Sequence, residues 1–117
     1  QMLFPGAPAI YYGDELGMTG ENDPGCRGGM AWDTPDKALH AWQKELIALR
    51  KKHQCLRTGA YRMLAAKDNL FAFQRADQKD CVITVFNTGD KPQQLDLTDA
   101  EEPVHIPPHS VKIIKRP

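Results

Sequence analysis

From Tyr61 onward, apolar and polar positions alternate in short runs, the period-two signature of strands with one face on a core. The runs predict strands near Tyr61–Ala65, Leu70–Arg75, Val82–Asn87, Gln94–Leu97, Val104–Ile106 and Val111–Lys115. Between them lie Lys67-Asp68-Asn69, Asp77-Gln78-Lys79-Asp80 and Asn87-Thr88-Gly89-Asp90, residue types that tolerate or cap tight turns. Cys81 to Phe86 is apolar except for Thr84, which predicts a central strand buried on both faces. Pro103, Pro107 and Pro108 confine their neighbourhoods to edges or loops, because proline donates no ladder hydrogen bond. Short strands at this spacing predict an antiparallel sandwich or small barrel. Tyr61, Phe71, Phe73 and Phe86 fall at period-two positions among apolar neighbours, which reads as core packing.

Upstream the period changes. Leu39, Trp42, Leu46 and Leu49 recur at spacings of three, four and three, with Ala38 and Ile47 widening the stripe. That predicts an amphipathic helix over residues 35–54, ending before Gly59. Thr34 before Pro35 is the expected N-cap. Asp36 falls near the positive end of the helix dipole, and Arg50-Lys51-Lys52-His53 reads as a solvated basic terminus at the negative end. Residues 1–34 are rich in Gly and Pro. Within them the apolar run Ala7–Tyr12, closed by Gly13-Asp14-Glu15, predicts a buried strand feeding a loop. Gly17 to Asp33 predicts a long irregular loop, a length class that often carries function.

The 117 residues suffice for one ordinary domain, or for a small domain plus part of another. Apolar content of 41% with 26% charged residues excludes a disordered chain. Fifteen Lys and Arg balance fifteen Asp and Glu, so no basic excess points to nucleic acid or an anionic membrane. No run of about 18 apolar residues predicts a membrane span. Cys26, Cys55 and Cys81 are odd in number and widely spaced; they form no disulfide framework and fit a reducing, cytoplasmic setting. The opening Gln1-Met2-Leu3-Phe4-Pro5-Gly6 resembles no signal peptide, and it predicts a chain that starts partway through a larger protein.

Most catalytic chemistries find no support. His105 and His109 have helical ligand spacing, but Pro107 and Pro108 forbid the helix, so no metal site is expected. Ser110, the only serine, lies outside any Gly-x-Ser-x-Gly elbow. His53 and Cys55 are too close in sequence for the usual thiol–imidazole geometry. The glycines between Gly25 and Gly29 match neither phosphate-binding pattern. Carboxylates remain: Asp14, Glu15, Glu21, Asp23 and Asp33 share the loop-rich first third with Tyr11, Tyr12, Trp32 and Arg27. Aromatic faces that stack on pyranose rings, beside charged groups that bind hydroxyls, suit a sugar site. The same residues equally suit structural work, with Asp14 and Glu15 capping the strand end, Trp32 packing, and Arg27 pairing with a nearby acid.

Gly6-Ala7-Pro8-Ala9-Ile10-Tyr11-Tyr12-Gly13-Asp14-Glu15-Leu16-Gly17 resembles the segment around the eighth barrel strand of the α-amylase family of glycoside hydrolases. Asn22-Asp23-Pro24-Gly25-Cys26-Arg27 and Met30-Ala31-Trp32-Asp33 resemble the loop that follows, most closely in neopullulanases, cyclomaltodextrinases and maltogenic amylases. Leu46 to His53 is similar to the eighth barrel helix, Leu56-Arg57 with Gly59 to its exit, and the Phe71–Arg75 and Val82–Asn87 strands to the start of the C-terminal β-sandwich.

The resemblance implies an α+β fragment: the last strand and helix of a (β/α)8 barrel over residues 1–58, then an antiparallel β-sandwich domain over residues 59–117. A lone barrel strand has no ladder partner within this chain. The loop from Asp14 to Asp33 would lie at the face where such barrels carry their active sites. Asp23 and Arg27 occupy the positions that bind glucose hydroxyls on the donor side, and Glu15 would orient the loop. The family's catalytic carboxylates match no acid here, so the resemblance implies no catalytic residue, no cofactor and no metal in this segment. It implies an α-glucan oligosaccharide and the rest of the barrel in cis as partners, with neither nucleic acid nor membrane. The parent would be a retaining α-glucan hydrolase and this chain alone inactive. The alternatives are a stand-alone carbohydrate-binding or structural β-module, which would expose a row of aromatics, and an unrelated interaction domain.

Overall fold

The computed structural model describes residues 1–98 and 100–116; Asp99 and Pro117 lie outside the described residues. The chain divides into two compact units, Gln1–Lys52 and the segment from His53 onward.

The second unit is built on alternation. Strands β1 (Ala60–Lys67), β2 (Leu70–Ala76), β3 (Cys81–Asn87) and β6 (Ser110–Arg116) form an antiparallel sheet in the order β1-β2-β3-β6. Strands β4 (Gln93–Leu95) and β5 (Val104–Ile106) form a separate antiparallel pair. Each predicted strand is present with its ends within two residues of expectation, and Cys81–Asn87 is the interior strand that its apolar run, broken only by Thr84, predicted.

Turn chemistry fixes the registers. Asp68 and Asn69 adopt φ of 51° and 64°, the paired left-handed conformation whose twist suits a two-residue hairpin. Asp77 Oδ1 accepts hydrogen bonds from the N–H groups of Lys79 (2.8 Å) and Asp80 (3.1 Å), closing the β2–β3 turn. Asn87, buried, donates through Nδ2 to the carbonyls of Lys91 (2.8 Å), Pro107 (3.0 Å) and Ile106 (3.2 Å), while its Oδ1 accepts from the Gly89 N–H (3.0 Å). One side chain thereby ties the turn after β3 to the turn before β6.

Leu70 and Ala72 from β2, Ile83 and Val85 from β3, and Leu95, Leu97 and Ile106 from the small-sheet side form the core. The opposite face of the large sheet is also covered. There Phe73, Arg75, Val82 and Thr84 are buried, and the rings of Phe71, Phe73 and Phe86 stack on one another at 5.7–6.3 Å. A four-residue helix, α2 (Cys55–Thr58), packs on β2 and β3, and Arg75 donates to the carbonyls of Leu56 (3.0 Å) and Gly59 (2.9 Å) at its C-terminus. Gly59 permits this approach, because a Cβ there would stand 2.5 Å from the Cys55 carbonyl oxygen.

The first unit departs from expectation in three places. Its helix, α1 (Lys37–Lys52), is shorter than residues 35–54, and the break at His53 and Gln54 separates it from α2. The cap is Asp36, whose Oδ1 accepts from the Leu39 N–H at 2.9 Å; Thr34 makes no such bond. Residues 7–12, expected as a strand, form no regular element. Ladder hydrogen bonds need a neighbouring strand, and the described residues of this unit contain none. What surrounds that segment is irregular, as Gly17 to Asp33 predicted, apart from 3-10 turns at Asp14–Leu16 and Gly25–Arg27.

Candidate functional site

The candidate site grows from the sequence Gly13-Asp14-Glu15-Leu16-Gly17. Gly13 (φ 92°) and Gly17 (φ 73°) bracket a single 3-10 turn in left-handed conformations that any side chain would strain. The Glu15 carboxylate folds back to accept from the Gly13 N–H at 3.0 Å, closing the turn. Leu16 is buried, and its carbonyl accepts from the Asp36 N–H (2.9 Å), anchoring the turn to the start of α1.

From this anchor the long loop leaves and returns. The Tyr12 hydroxyl donates to the Gly28 carbonyl at 3.0 Å, and the Ala31 N–H points at Met18 Sδ at 3.4 Å. Gly20 lies against the Gly25–Cys26 backbone so closely that a Cβ would come within 2.7 Å of Cys26 Cα. The loop encloses a cleft of about 220 Å³ walled by Tyr11, Tyr12, Asp14, Met18, Cys26 and Gly28. The rings of Tyr11 and Tyr12 lie 4.9 Å apart. Desolvation, then the adjacent Tyr11, hold the Tyr12 phenol above its ordinary value.

Asp23 and Arg27 stand together on the same loop. Arg27 Nη2 lies 3.0 Å from Asp23 Oδ2, the two side chains 68% and 57% exposed. A pair this open contributes little to stability. Both groups retain unused donors and acceptors directed at solvent, a state suited to exchanging water for ligand hydroxyls. Neither lines the tyrosine cleft; they occupy the turn beside it. Trp32 is 72% exposed and packs no core.

Two polar constellations escaped the sequence reading. Arg50, expected as a solvated helix end, donates to the carbonyls of Met2 (2.8 Å), Phe4 (3.2 Å) and Gly6 (2.6 Å) and so pins residues 2–6 to α1. The signal was present, since Arg50 follows Ile47 by three and Leu46 by four and therefore sits on the apolar stripe. The second is Asp80. Its Oδ2 accepts from His53 Nδ1 at 2.6 Å, and it also faces the Cys55 thiol. Burial and the Asp80 carboxylate push that thiol up to about 12, which makes it inert as a nucleophile. The hydrogen bond from Cys55, and after it His53, hold the Asp80 carboxyl below its usual range. Among the described residues, no group of three or more His, Cys, Asp or Glu is arranged to hold a metal ion, and no helix is long and apolar enough to cross a membrane.

No protein-family model matches the chain. Curated relatives do. A cyclomaltodextrinase of Geobacillus thermopakistaniensis is 42% identical over 101 residues, covering 83% of this chain and 17% of the relative. An intracellular maltogenic amylase of Bacillus subtilis is 36% identical over 99 residues, covering 80% of this chain and 17% of the relative. The chain thus spans less than a fifth of the length of the curated relatives it matches. Among solved structures, the cyclic α-maltosyl-(1→6)-maltose hydrolase of Arthrobacter globiformis, in complex with cyclic α-maltosyl-(1→6)-maltose, superposes with a TM-score of 0.86 at 26% identity, covering 98% of this chain and 28% of that one. The antiparallel sheets match the C-terminal domains of such enzymes, and by sequence and fold together the chain belongs to the α-amylase family of glycoside hydrolases.

Proposed function

We propose that this chain is the C-terminal segment of a retaining α-glucan hydrolase, in which Asp23 and Arg27 bind glucose hydroxyls on the donor side. The observation that carries this reading is the exposed Asp23–Arg27 pair, presented beside a tyrosine-walled cleft in a segment homologous to a cyclomaltodextrinase. A carboxylate and a forked guanidinium at fixed separation can each engage two neighbouring hydroxyls, and the tyrosine rings offer faces to a pyranose. On this reading residues 1–58 are the end of the catalytic barrel and residues 59–117 a β-sandwich domain. The rest of the barrel, in cis, covers the apolar positions of α1, none of which is buried in the described unit. The catalytic carboxylates belong to that other part, and three free thiols suit a cytoplasmic enzyme. The stand-alone binding module is the weaker reading, because Phe71, Phe73 and Phe86 stack on one another and Phe73 is buried.

The test pairs two measurements. The purified 117-residue chain leaves maltotriose intact, whereas the enzyme encoded by the complete reading frame hydrolyses it. In that enzyme Arg27→Ala raises KM for maltotriose about ten-fold or more, the consequence of losing a charge-assisted contact. Turnover by the chain alone, or an unchanged KM in Arg27→Ala, refutes the assignment.

A further inference from the structure

We infer that the Tyr12 hydroxyl is a positioning group: by latching the Gly28 carbonyl it holds the Asp23–Arg27 turn in the orientation that sugar hydroxyls require. The inference rests on the donor-side role proposed for that pair and adds a residue that touches no sugar through its hydroxyl. Gly28 directly follows Arg27 and ends the 3-10 turn Gly25–Arg27, so a restraint on its carbonyl acts one residue beyond the Arg27 backbone. Tyr12 is a rigid post for this purpose. It directly precedes the Gly13–Gly17 turn, which is fixed by Glu15 and by the buried Leu16, and its ring sits against Tyr11. The loop's other ties lie elsewhere: the Gly20 contact reaches Gly25 and Cys26, and the Met18 sulfur meets Ala31. Among the described hydrogen bonds, the Tyr12 hydroxyl alone joins residues 20–29 to the anchored segment before Gly17 through a side chain. With Asp23 and Arg27 both exposed, packing does not substitute for it.

Tyr12→Phe removes the latch and keeps the ring. In the 117-residue chain, amide hydrogen exchange across residues 20–29 should quicken about five-fold, the equivalent of one neutral hydrogen bond, while α1 stays unchanged. In the complete enzyme, KM for maltotriose should rise about five-fold with kcat within two-fold of the original, since what is lost is orientation of a binding group. The same substitution in an Asp23→Ala/Arg27→Ala background should add nothing to KM, because both groups to be oriented are gone. Should Arg27→Ala itself leave KM unchanged, the donor-side reading falls and this inference with it. Should Arg27→Ala raise KM while Tyr12→Phe does not, the latch alone is refuted. Equal losses from Tyr12→Phe in both backgrounds, unchanged exchange in the loop, or a fall in kcat at constant KM would each overturn the positioning role, and the exchange experiment decides even if the variant enzyme is made in poor yield.

Discussion

In the unit from His53 onward, Ala72, Val82, Val85 and Ile106 are fully buried; in the unit Gln1–Lys52, Tyr11, Trp32 and Trp42 stand 57%, 72% and 39% exposed. The apolar pattern of α1 is as regular as that of the strands. In the sheet unit, a second sheet and a short helix cover the apolar faces of β2 and β3, while Tyr61 and Met63 on the edge strand β1 stay exposed. The stripe on α1 is as well formed, yet no residue of that helix is buried. The helix holds through its Asp36 cap, its basic C-terminal turn and good helix formers such as Ala, Leu, Lys and Glu. Periodicity therefore specifies which element forms; it does not guarantee that the matching interior lies in the same stretch of chain. Polar clips take up the work in the first unit, with Arg50 on three carbonyls, Tyr12 on Gly28 and Glu15 on Gly13.

The largest consequence concerns truncation of apolar side chains. Ile106→Ala should cost about 3 kcal/mol of unfolding free energy, because a fully buried side chain leaves a cavity lined by Val85 and its neighbours. Leu46→Ala, on the half-exposed stripe of α1, should cost no more than about 1 kcal/mol in the same chain. Urea titration followed by far-ultraviolet circular dichroism for the sheet, and by the fluorescence of Trp32 and Trp42 for the first unit, measures both. Equal costs would erase the distinction between the units.

The legibility of the sequence follows the same line. Strands β1 to β6 were readable from their alternation and turn residues, although Tyr61 on β1, expected in the core, is exposed because β1 is the edge strand, and Asp68-Asn69 is chemistry that only a tight turn needs. The cap was misread because Thr34, Pro35 and Asp36 each satisfy a helix-start rule, and only geometry selects among them. Residues 7–12 have strand composition without a strand, since pairing is a property of two segments and the pattern reports one. Within the site, Asp23 and Arg27 were reached by resemblance, and their ion pair is what a spacing of four on a tight loop turn allows. Asp80 could not be anticipated, because its tie to His53 spans 27 residues and depends on where the β2–β3 turn lands.

Two arginines sharpen the comparison at intermediate cost. Each forks onto backbone carbonyls, but Arg75 is 2% exposed while Arg50 is only half-buried. Arg75→Met should lower stability by about 2–3 kcal/mol, since the Leu56 and Gly59 carbonyls lose a charged donor with little water to replace it. Arg75→Lys should recover little, because a single ammonium cannot span both oxygens. Arg50→Met should cost about 1 kcal/mol, with water able to reach the freed carbonyls of Phe4 and Gly6, whose bonds are exposed. Should Arg50 prove the costlier loss, the first unit would depend on its clip more than the second depends on its core.

The smallest effect is a dependence on pH confined to the second unit. The Asp80 carboxyl is held below its ordinary range by Cys55 and His53, so folding favours its charged form. That contribution is complete above the unfolded value, near pH 4, and is lost as the pH falls through the lower folded value. Asp80→Asn removes it and presents an amide to a thiol and an imidazole that both meet a carboxylate in the native turn. The variant should melt below the original chain at about pH 6, and the gap should close as the pH falls through the lowered folded value, where the original surrenders the same interaction. A gap that stays constant with pH would assign Asp80 a packing role, and one that widens in acid would reverse the sign of its coupling to His53 and Cys55. The first unit, followed through its two tryptophans, should show no difference between the proteins at any pH, because none of its residues takes part in the Asp80 cluster.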